Sequence, residues 1–572
     1  MLSVIIISCL GIIVYSNTFL SSFHYDDDLF IVHNLAIRNM GDLQQIWHYF
    51  HGRFVVFFSL ALNDHINGLN VFGYHIFNLA VHLVSAILVW WLVRLTLSTP
   101  MMKEDRINQQ ADLIALFAGL VFVSHPLQTE AVTYIWQRAA SMVALFYLAS
   151  LCFYIKGRLA GDSVMAKSFY MGALTAAILA MFTKENAVTL PLMVLLYEFT
   201  FLKPKKGFVW KYVLPFLLTI FIIPVTFLFI RSQTFQSMHG DLRLHGEIIT
   251  PSHYFLTQFR AMFTYIRLIF LPVHQNIDYD YPVFKSILEW PVLISLSFLM
   301  AILWGAKCLF LKYRLVSFSI FWFFLTLIIP ESSFWAMGDL VLEHRLYLPL
   351  VGYSMFLVSG LYYLGGKNSV RMMVIALTIV VVSNSVLTYQ RNKVWKDEFT
   401  LWSDAVARSP DKARPHYNRG LEYYRQGALS QAISDLTKAI EIDPGYADAY
   451  TNRGRIYAQQ GGFKPALNDF NKAIEVGPNS VVAYSNRGII YAYYGHFNEA
   501  IFNFAQAIKI DPTYGESYWN LAIAYYHLRK YDMAWLNVRK SQELGFSGNP
   551  QFIKDLKGLS SPNALIGDPQ QN

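Results

Sequence analysis

Charged residues are scarce in this sequence, and cysteine is nearly absent. Only 15% of the 572 residues are Asp, Glu, Lys or Arg, whereas 55% are hydrophobic and the mean hydropathy is +0.34. Cys9, Cys152 and Cys308 lie in separate apolar segments, which excludes a disulfide framework and a cysteine-ligated zinc site. The basic residues form no stripe that would bind nucleic acid. The composition is that of a polytopic membrane protein.

Long apolar segments recur up to about residue 390 and predict a bundle of transmembrane helices. A helix needs roughly 20 residues to cross a bilayer core of about 30 Å. We predict about eleven spans, at 3–20, 73–98, 113–125, 139–156, 167–183, 187–202, 210–230, 288–312, 315–330, 346–364 and 370–389. One set of connecting loops is basic, and the positive-inside rule assigns it to the cytoplasm. The N-terminus is then cytoplasmic, and the region after the last span lies outside.

A repeat of 34 residues begins near residue 413, and this is the length of a tetratricopeptide (TPR) helix-turn-helix unit. Four segments align without gaps. Pro444, Pro478 and Pro512 share one column and predict the end of each second helix, because proline lacks an amide hydrogen and disfavours helix in the residue before it. The repeats therefore predict an α-solenoid.

A stacked TPR array presents a concave surface that suits an extended polypeptide. We expect contacts from asparagines that share one column of the alignment, namely Asn418, Asn452, Asn486 and Asn520. The alternative is a purely structural cap or an oligomerisation surface. The chain is thus predicted to be all-α, with a transmembrane domain at 1–390, a connector with half a TPR at 391–412, four repeats at 413–548 and a flexible tail at 549–572.

Three consecutive aspartates, Asp26, Asp27 and Asp28, directly follow the first predicted span, in the stretch "SSFHYDDDLFIVHN". Adjacent carboxylates repel one another unless they share a proton or a cation, which is typical of a site with perturbed pKa values. A solvated loop would also hold such residues without any task. The motif alone leaves both interpretations open.

Six stretches and their order carry a family resemblance: "YDDDLFIVHN", "ALNDHINGLNVFGYHIFNLAVHLVSAILV", "HPLQTEAVTYIWQRA", "FTKENAVTLPL", "LPVHQNIDYDYP" and "EHRLYLPLVG". With the TPR array, they make the sequence similar to GT-C class membrane glycosyltransferases, and most closely to the transmembrane-and-TPR (TMTC) protein O-mannosyltransferases. The compact chain resembles a bacterial member. The resemblance implies a GT-C-like domain that moves a mannose-like hexose from a polyprenyl-phosphate carrier to Ser or Thr of exported proteins, with inversion.

In that family an acidic pair follows the first span, and it corresponds best to Asp26 and Asp27, with Asp28 as an additional acid. One aspartate is expected to accept the proton of the acceptor hydroxyl. Expected ligands for the donor phosphate are basic residues at the outer membrane boundary, namely Arg138, Arg345, Arg53 and Lys184.

Of these basic residues, Arg138 and Arg345 are the preferred pair. The structural alternatives are that the arginines snorkel to the interface and that Lys184 forms an ion pair with Glu185.

The sequence leaves open whether the aspartates bind a divalent cation as a cofactor, because carboxylates and water suit Mg²⁺ or Mn²⁺. Close relatives resemble metal-independent enzymes, whereas oligosaccharyltransferases of the class use a metal.

Two other functions are compatible with the sequence. One is transfer of an aminosugar, pentose or glycan to lipid A, a cell-wall polymer or pilin, and the other is a TPR scaffold or transporter. We expect an inner-membrane protein whose TPR array is periplasmic or extracellular.

Overall fold

The structure is a computed structural model that describes residues 1–161, 163–202, 210–228, 243–244, 247–328, 339–365 and 369–559. Its regular elements are helices, apart from an antiparallel ribbon of two short strands, β1 (Arg243–Leu244) and β2 (Glu247–Ile248). The chain divides into two compact units, Met1–Arg408 and Ser409–Asn572. This division falls between the boundaries predicted at residues 390 and 412.

The first unit is a helical bundle. Its helices are α1 (Leu2–Val14), α2 (Leu43–Tyr49), α3 (Phe54–Asn67), α4 (Val71–Leu97), α5 (Ala111–Ser124), α6 (Thr129–Thr133), α7 (Arg138–Leu159), α8 (Val164–Met181), α9 (Leu190–Phe201), α10 (Trp210–Thr219), α11 (Ile222–Leu228), α12 (Pro251–Phe270), α13 (Trp290–Leu309), α14 (Arg314–Ile328), α15 (Pro349–Leu364), α16 (Ser369–Asn392) and α17 (Glu398–Arg408). The half-repeat helix predicted within 391–412 corresponds to α17.

Several of these helices are long and apolar enough to cross a membrane. Among the described residues there are six such segments, at Val71–Leu97, Arg106–Ser124, Ile135–Leu159, Val164–Met181, Trp290–Leu309 and Val370–Trp395. Four shorter apolar helices accompany them, at Leu2–Val14, Trp210–Thr226, Arg314–Leu327 and Pro349–Leu364. The protein is therefore an all-α membrane protein, whereas the predicted count of about eleven spans is not confirmed.

Small residues allow the helices of the main core to pack closely. A Cβ added to Gly119 of α5 would lie 2.6 Å from the Cδ1 atom of Ile7 in α1. A Cβ added to Gly352 of α15 would lie 2.7 Å from the Ser319 carbonyl oxygen in α14. Both distances are shorter than a van der Waals contact, so the absence of a side chain permits these helix crossings.

A second, smaller core holds the loop that follows α1. Ile31, Phe57, Trp136 and Trp395 are buried in it. The ring of Phe30 stacks on Trp136, with 4.0 Å between the ring centroids and 11° between the planes. Aromatic pairs with offset stacking contribute about 0.5–1.5 kcal/mol beyond the area that they bury. This core holds the aspartate loop against the segment that precedes α7.

The connection from α5 to α7 is buried almost throughout, although only α6 within it is α-helical. Short 3-10 turns at Pro126–Gln128 and Ile135–Gln137 flank α6. Non-helical backbone in a membrane domain is tolerated where protein covers it or where it lines a wet cavity. This connection carries Glu130, Tyr134 and Trp136 into the interior, where they contribute to the site described below.

The second unit is the TPR array. Its helices are α18 (Ala413–Arg425), α19 (Leu429–Ile442), α20 (Ala447–Gln459), α21 (Phe463–Val476), α22 (Val481–Tyr493), α23 (Phe497–Ile510), α24 (Gly515–His527), α25 (Tyr531–Glu543) and α26 (Pro550–Leu559). The first eight form four helical hairpins. As predicted, α19, α21 and α23 each end two residues before Pro444, Pro478 and Pro512.

The end of the second unit corrects one prediction. A flexible tail was expected over residues 549–572, but α26 is helical and its Leu556 side chain is fully buried in a cluster with Trp519 and Trp535. Burial of a leucine side chain stabilises a fold by roughly 1.5–3 kcal/mol, which explains why this segment is ordered. Residues 560–572 lie outside the described residues.

Candidate active site

The three adjacent aspartates lie in different environments. Asp27 is completely buried, Asp26 is half-buried and Asp28 is exposed. The chain turns sharply before them, because Tyr25 has a left-handed backbone with φ of 43°. A non-glycine residue in this region is uncommon and is typical of a functional turn. Sequence neighbours with the same side chain therefore have separate roles.

Asp27 holds the loop in place. Its Oδ1 atom accepts a hydrogen bond from the Trp136 amide at 2.7 Å, and its Oδ2 atom accepts one from the His24 amide at 2.9 Å. Burial raises the pKa of Asp27 to about 7, although the His24 amide and ring oppose the shift. A carboxylate whose two oxygens both accept buried backbone donors is suited to positioning rather than to proton transfer with a substrate.

Asp26 is better placed to act as a base, because it is half-buried and lies beside a neutral hydroxyl group. Its amide donates to the Tyr134 hydroxyl at 3.0 Å, and its carboxylate is a hydrogen-bond partner of the same hydroxyl. Burial, followed by the negative charges of Asp26 and Asp27, raises the pKa of Tyr134 well above its usual value. Tyr134 therefore stays protonated and can orient the Asp26 carboxylate.

Three of the four predicted phosphate ligands, Arg53, Lys184 and Arg345, form one group. We call these residues the cation cluster. The pKa of Lys184 is lowered to about 8, mainly by burial and also by the charges of Arg53 and Arg345, while the charges of Glu185 and Glu130 oppose the shift. Three different segments supply the cluster, namely the turn before α3, the turn before α9 and the turn Glu343–Leu346.

Lys184 carries the least compensated charge of the cluster. Glu185 forms its ion pair with Arg53, at 3.1 Å, and not with Lys184 as the structural alternative supposed. Within the described part of the chain, no carboxylate lies within 4.0 Å of Lys184 Nζ. Arg345 donates to the Tyr254 hydroxyl and to the Asp339 carbonyl, both at 3.2 Å. The cluster is thus arranged to receive an anion.

Arg138 belongs to a different environment. It is fully buried, its Nη1 atom donates to Asn63 Oδ1 at 2.7 Å, and its guanidinium lies 4.7 Å from the centroid of the Phe77 ring. These contacts hold α7 against α3 and α4. The structure therefore does not place the preferred pair, Arg138 and Arg345, together at a site that a lipid headgroup could reach.

Trp136 connects the aspartate loop with the cation cluster. Its amide donates to Asp27, and the guanidinium of Arg53 lies 5.7 Å from the centroid of its indole ring. A cation over an indole face is favourable by about 0.5–2 kcal/mol. Trp136 thus joins the loop that carries the candidate base to one of the candidate phosphate ligands, through its amide on one side and its indole ring on the other.

Residues that the sequence did not single out complete the site. Glu130 is buried and accepts from the His344 amide at 3.0 Å. Glu343 accepts from the Asn276 amide at 2.7 Å and from the Tyr279 hydroxyl at 2.6 Å. Glu130 lies within the stretch "HPLQTEAVTYIWQRA" and Glu343 within "EHRLYLPLVG". Both stretches carry the family resemblance, and this is the signal by which the sequence could have identified the two acids.

An apolar cavity of about 450 Å³ lies along α9, which begins six residues after Lys184. Its lining consists of Leu192, Leu195, Leu196, Phe199, Leu303, Phe321, Phe324 and Leu325. The lining is entirely hydrophobic. A cavity of this kind accommodates a hydrocarbon chain and offers nothing to a polar ligand.

Within the aspartate triplet, Asp27 is poorly suited to hold a divalent cation. Both oxygens of Asp27 already accept backbone hydrogen bonds. Among the described residues, no group of three or more His, Cys, Asp or Glu side chains is arranged to hold a metal ion. Binding of Mg²⁺ or Mn²⁺ stays a prediction, and no step below depends on it.

The predicted asparagine column in the second unit is half-buried in each repeat. Asn452 donates to the Tyr417 hydroxyl at 3.1 Å and accepts from Arg455 at 3.0 Å. The residue after each of the first three asparagines is an arginine that pairs with the next helix, at Arg419–Asp435, Arg453–Asp469 and Arg487–Asn503. These pairs connect the two helices of each repeat, and the sequence signal for them is the repeated Asn-Arg-Gly triplet.

Comparisons with known proteins are consistent with both units. Models of the families described as "TPR repeat" and "Tetratricopeptide repeat" match residues 420–461, 447–480 and 481–514. A solved structure of MamA is 22% identical, with a TM-score of 0.24, and the match covers 26% of this chain and 86% of MamA.

Curated relatives extend over the membrane unit. A protein O-mannosyl-transferase of Caenorhabditis elegans is 25% identical over 471 residues, covering 77% of this chain and 63% of the relative. Human protein O-mannosyl-transferase TMTC4 is 23% identical, with 75% and 65% covered, and mouse TMTC3 is 22% identical, with 67% and 43% covered. The chain spans less than two thirds of the length of these relatives. The predicted resemblance to the TMTC proteins is confirmed, whereas the bacterial origin stays a prediction.

Proposed function

We propose that the protein is a membrane glycosyltransferase that moves a mannose-like hexose from a polyprenyl-phosphate carrier to Ser or Thr of exported proteins. The observation that carries this proposal is the connection, through Trp136, between a half-buried carboxylate loop and a cluster of three cations. Sugar transfer from a lipid phosphate to a hydroxyl needs both a base and a cationic site. The relatives named protein O-mannosyl-transferases support the choice of sugar and acceptor.

The reaction would be a single displacement. Asp26 accepts the proton of the Ser or Thr hydroxyl while the hydroxyl oxygen attacks the anomeric carbon. The bond from that carbon to the phosphate oxygen breaks on the opposite side, so the configuration inverts. Arg53, Lys184 and Arg345 hold the phosphate, whose negative charge grows as it departs. Fixed cations in a partly buried site stabilise such a charge more strongly than water does.

The surroundings of Lys184 favour a lipid-linked donor. The cation cluster would hold the phosphate, and the hydrophobic cavity along α9 would hold part of the prenyl chain. A nucleotide sugar would instead need polar contacts for its base and ribose, and the cavity lining offers none. The segment from Lys184 through α9 would thus bind both the charged end and the hydrocarbon end of one lipid donor.

The TPR array would engage the acceptor polypeptide. The asparagine column offers both hydrogen-bond donors and acceptors, as an extended peptide backbone requires. Of the neighbouring arginines, Arg419 and Arg453 are compensated by aspartates, whereas Arg487 bonds the neutral Asn503 and keeps its charge. Recognition of peptide backbone, with modest sequence preference, is therefore the expected mode.

The function can be tested with purified full-length protein in liposomes. The assay supplies polyprenyl-phosphate mannose and a Ser/Thr peptide, and it measures glycopeptide by mass spectrometry. Asp26→Asn should abolish transfer, because an amide cannot accept the proton, whereas Asp28→Asn is the matched control and should retain it. Equal transfer by the wild type and both variants would refute the assignment of the base. Absence of transfer by the wild type would favour the scaffold or transporter interpretation.

A further inference from the structure

Glu130 and His344 form a buried pair beside the cation cluster. Glu130 Oε1 lies 2.7 Å from His344 Nδ1, while Glu130 Oε2 accepts from the His344 amide at 3.0 Å. Both side chains are at most 7% exposed. The two contacts fix the plane of the imidazole relative to the carboxyl group. Within the described residues, the opposite ring nitrogen, Nε2, has no hydrogen-bond partner.

The pair is enclosed by charged groups from several segments. Those that act on Glu130 or His344 are Lys184 and Glu185 before α9, Arg53 before α3, Arg345 in the same turn as His344, and Arg391 of α16. Glu343 also interacts with Glu130. Because three of these groups form the proposed phosphate site, His344 lies at the edge of that site.

We propose that Glu130 and His344 form a proton relay that protonates the phosphate as it leaves the sugar. This inference rests on the proposed function. In the starting state, the Glu130 carboxylic acid donates its O–H to His344 Nδ1, so Nε2 of the neutral imidazole carries the hydrogen. That hydrogen is available to a phosphate oxygen held by the cation cluster.

When the bond between the anomeric carbon and the phosphate oxygen breaks, its electron pair stays on that oxygen. His344 Nε2 then donates its proton to a phosphate oxygen, and Nδ1 takes the proton of Glu130. The products are a protonated polyprenyl phosphate, a neutral imidazole with hydrogen on Nδ1 and a Glu130 carboxylate. A proton from solvent then binds at His344 Nε2 while Nδ1 returns its proton to Glu130, which restores the starting state, and the acceptor proton stays separately on Asp26.

The electrostatics of the pair agree with this role. Burial raises the pKa of Glu130 to about 7, so near neutral pH it can hold and release a proton. Burial and the cations Lys184, Arg345 and Arg53 hold the pKa of His344 well below its usual value, which keeps the imidazole neutral. An acid–base group acts best when its pKa lies near the working pH. Arg391, Lys184 and Arg345 stabilise the Glu130 carboxylate that the relay leaves behind.

The variants Glu130→Gln and His344→Gln separate this relay from a merely structural contact. The Gln amide of Glu130→Gln can still donate to Nδ1 and accept from the His344 amide, so the geometry is kept and only the mobile proton is lost. We expect kcat to fall about 10²-fold in either variant, with little change in KM for the donor because the cation cluster is intact. Circular dichroism and thermal unfolding verify the fold of each variant.

The pH profile gives the decisive readout. In the wild type, kcat should fall as pH rises through about 7, because Glu130 loses its proton in this range. This limb should be absent in Glu130→Gln. In His344→Gln, a mannosyl donor with an aryl phosphate leaving group of lower pKa should restore kcat, since it needs no protonation, whereas structural damage would not be rescued.

The outcomes distinguish the relay from the proposed function. If the wild type transfers sugar and Asp26→Asn does not, the proposed function stands. A wild-type pH profile in Glu130→Gln, or an unchanged kcat in His344→Gln, would then overturn the relay alone. If the wild type transfers no sugar from polyprenyl-phosphate mannose, the proposed function itself fails.

Discussion

Replacing Asp27 by asparagine should destabilise the membrane unit, whereas the same change at Asp26 should stop catalysis without affecting stability. Asp27 offers two acceptor oxygens to two buried amides, those of Trp136 and His24. Asparagine has a single acceptor oxygen, and its NH₂ group would face the second amide. One buried donor is left unpaired, which costs about 1–3 kcal/mol.

The effect of Asp27→Asn should depend on pH. Burial raises the pKa of Asp27 from 3.8 to about 7 in the folded protein. An acid with a raised pKa contributes its stability at pH values below the unfolded pKa, and this contribution is lost as pH rises through the folded pKa. The wild type should therefore lose stability between about pH 4 and 7 relative to the variant. The destabilisation by Asp27→Asn should be larger at acidic pH than above neutrality.

The assay is thermal unfolding of the purified protein in detergent, followed by tryptophan fluorescence at several pH values. Asp28→Asn is the matched control, because its side chain is exposed and should leave Tm unchanged. Asp26→Asn should also retain the wild-type Tm. If Asp27→Asn unfolds at the wild-type temperature at every pH, the two amide contacts do not hold the loop and the division of roles among the aspartates is wrong.

Substitutions at Lys184, Arg138 and Gly488 should each change a different property of the protein. Lys184→Met should raise KM for the lipid donor, and the rise of the wild-type KM above pH of about 8 should disappear, because that is where the ammonium of Lys184 loses its proton. Arg138→Met should lower the free energy of unfolding by about 1–3 kcal/mol, because Asn63 loses a buried hydrogen-bond partner. The KM for the lipid donor should stay unchanged in the liposome assay. Gly488→Ala should destabilise the TPR unit by about 1–3 kcal/mol in urea unfolding, because the new Cβ would lie 2.7 Å from Phe504 Cε1. If the variant unfolds at the same urea concentration as the wild type, the two helices can move apart at no cost in stability.

Much of the architecture could be predicted because its signals are local. Apolar segments of sufficient length identify membrane helices regardless of their neighbours, and the 34-residue period identifies the TPR hairpins with their helix ends. The structure differs from the prediction within the tail expected at 549–572, because residues 550–559 of it form a helix. Leu556 reverses that expectation, because Trp519 and Trp535 provide the buried contacts that its sequence neighbours cannot.

The candidate site was only partly predictable, since its residue types are visible in the sequence but their partners are not. Asp26, Asp27 and Asp28 are chemically identical in the sequence. The backbone turn at Tyr25 and the amide of Trp136, more than a hundred positions away, bury Asp27 and leave Asp26 available. Likewise, Arg138 and Arg345 look equivalent as boundary arginines until the fold surrounds Arg138 with α3 and α4.

The sequence by itself thus determined that the protein is a helical membrane protein with a TPR array and a triplet of acids after its first apolar segment. Tertiary structure alone decided which acid is buried, which cations meet and which acid orients a histidine. Glu130 and His344 are 214 residues apart in the sequence and 2.7 Å apart in space. Burial and pairing set the protonation state of a side chain, and both depend on groups that only folding brings together.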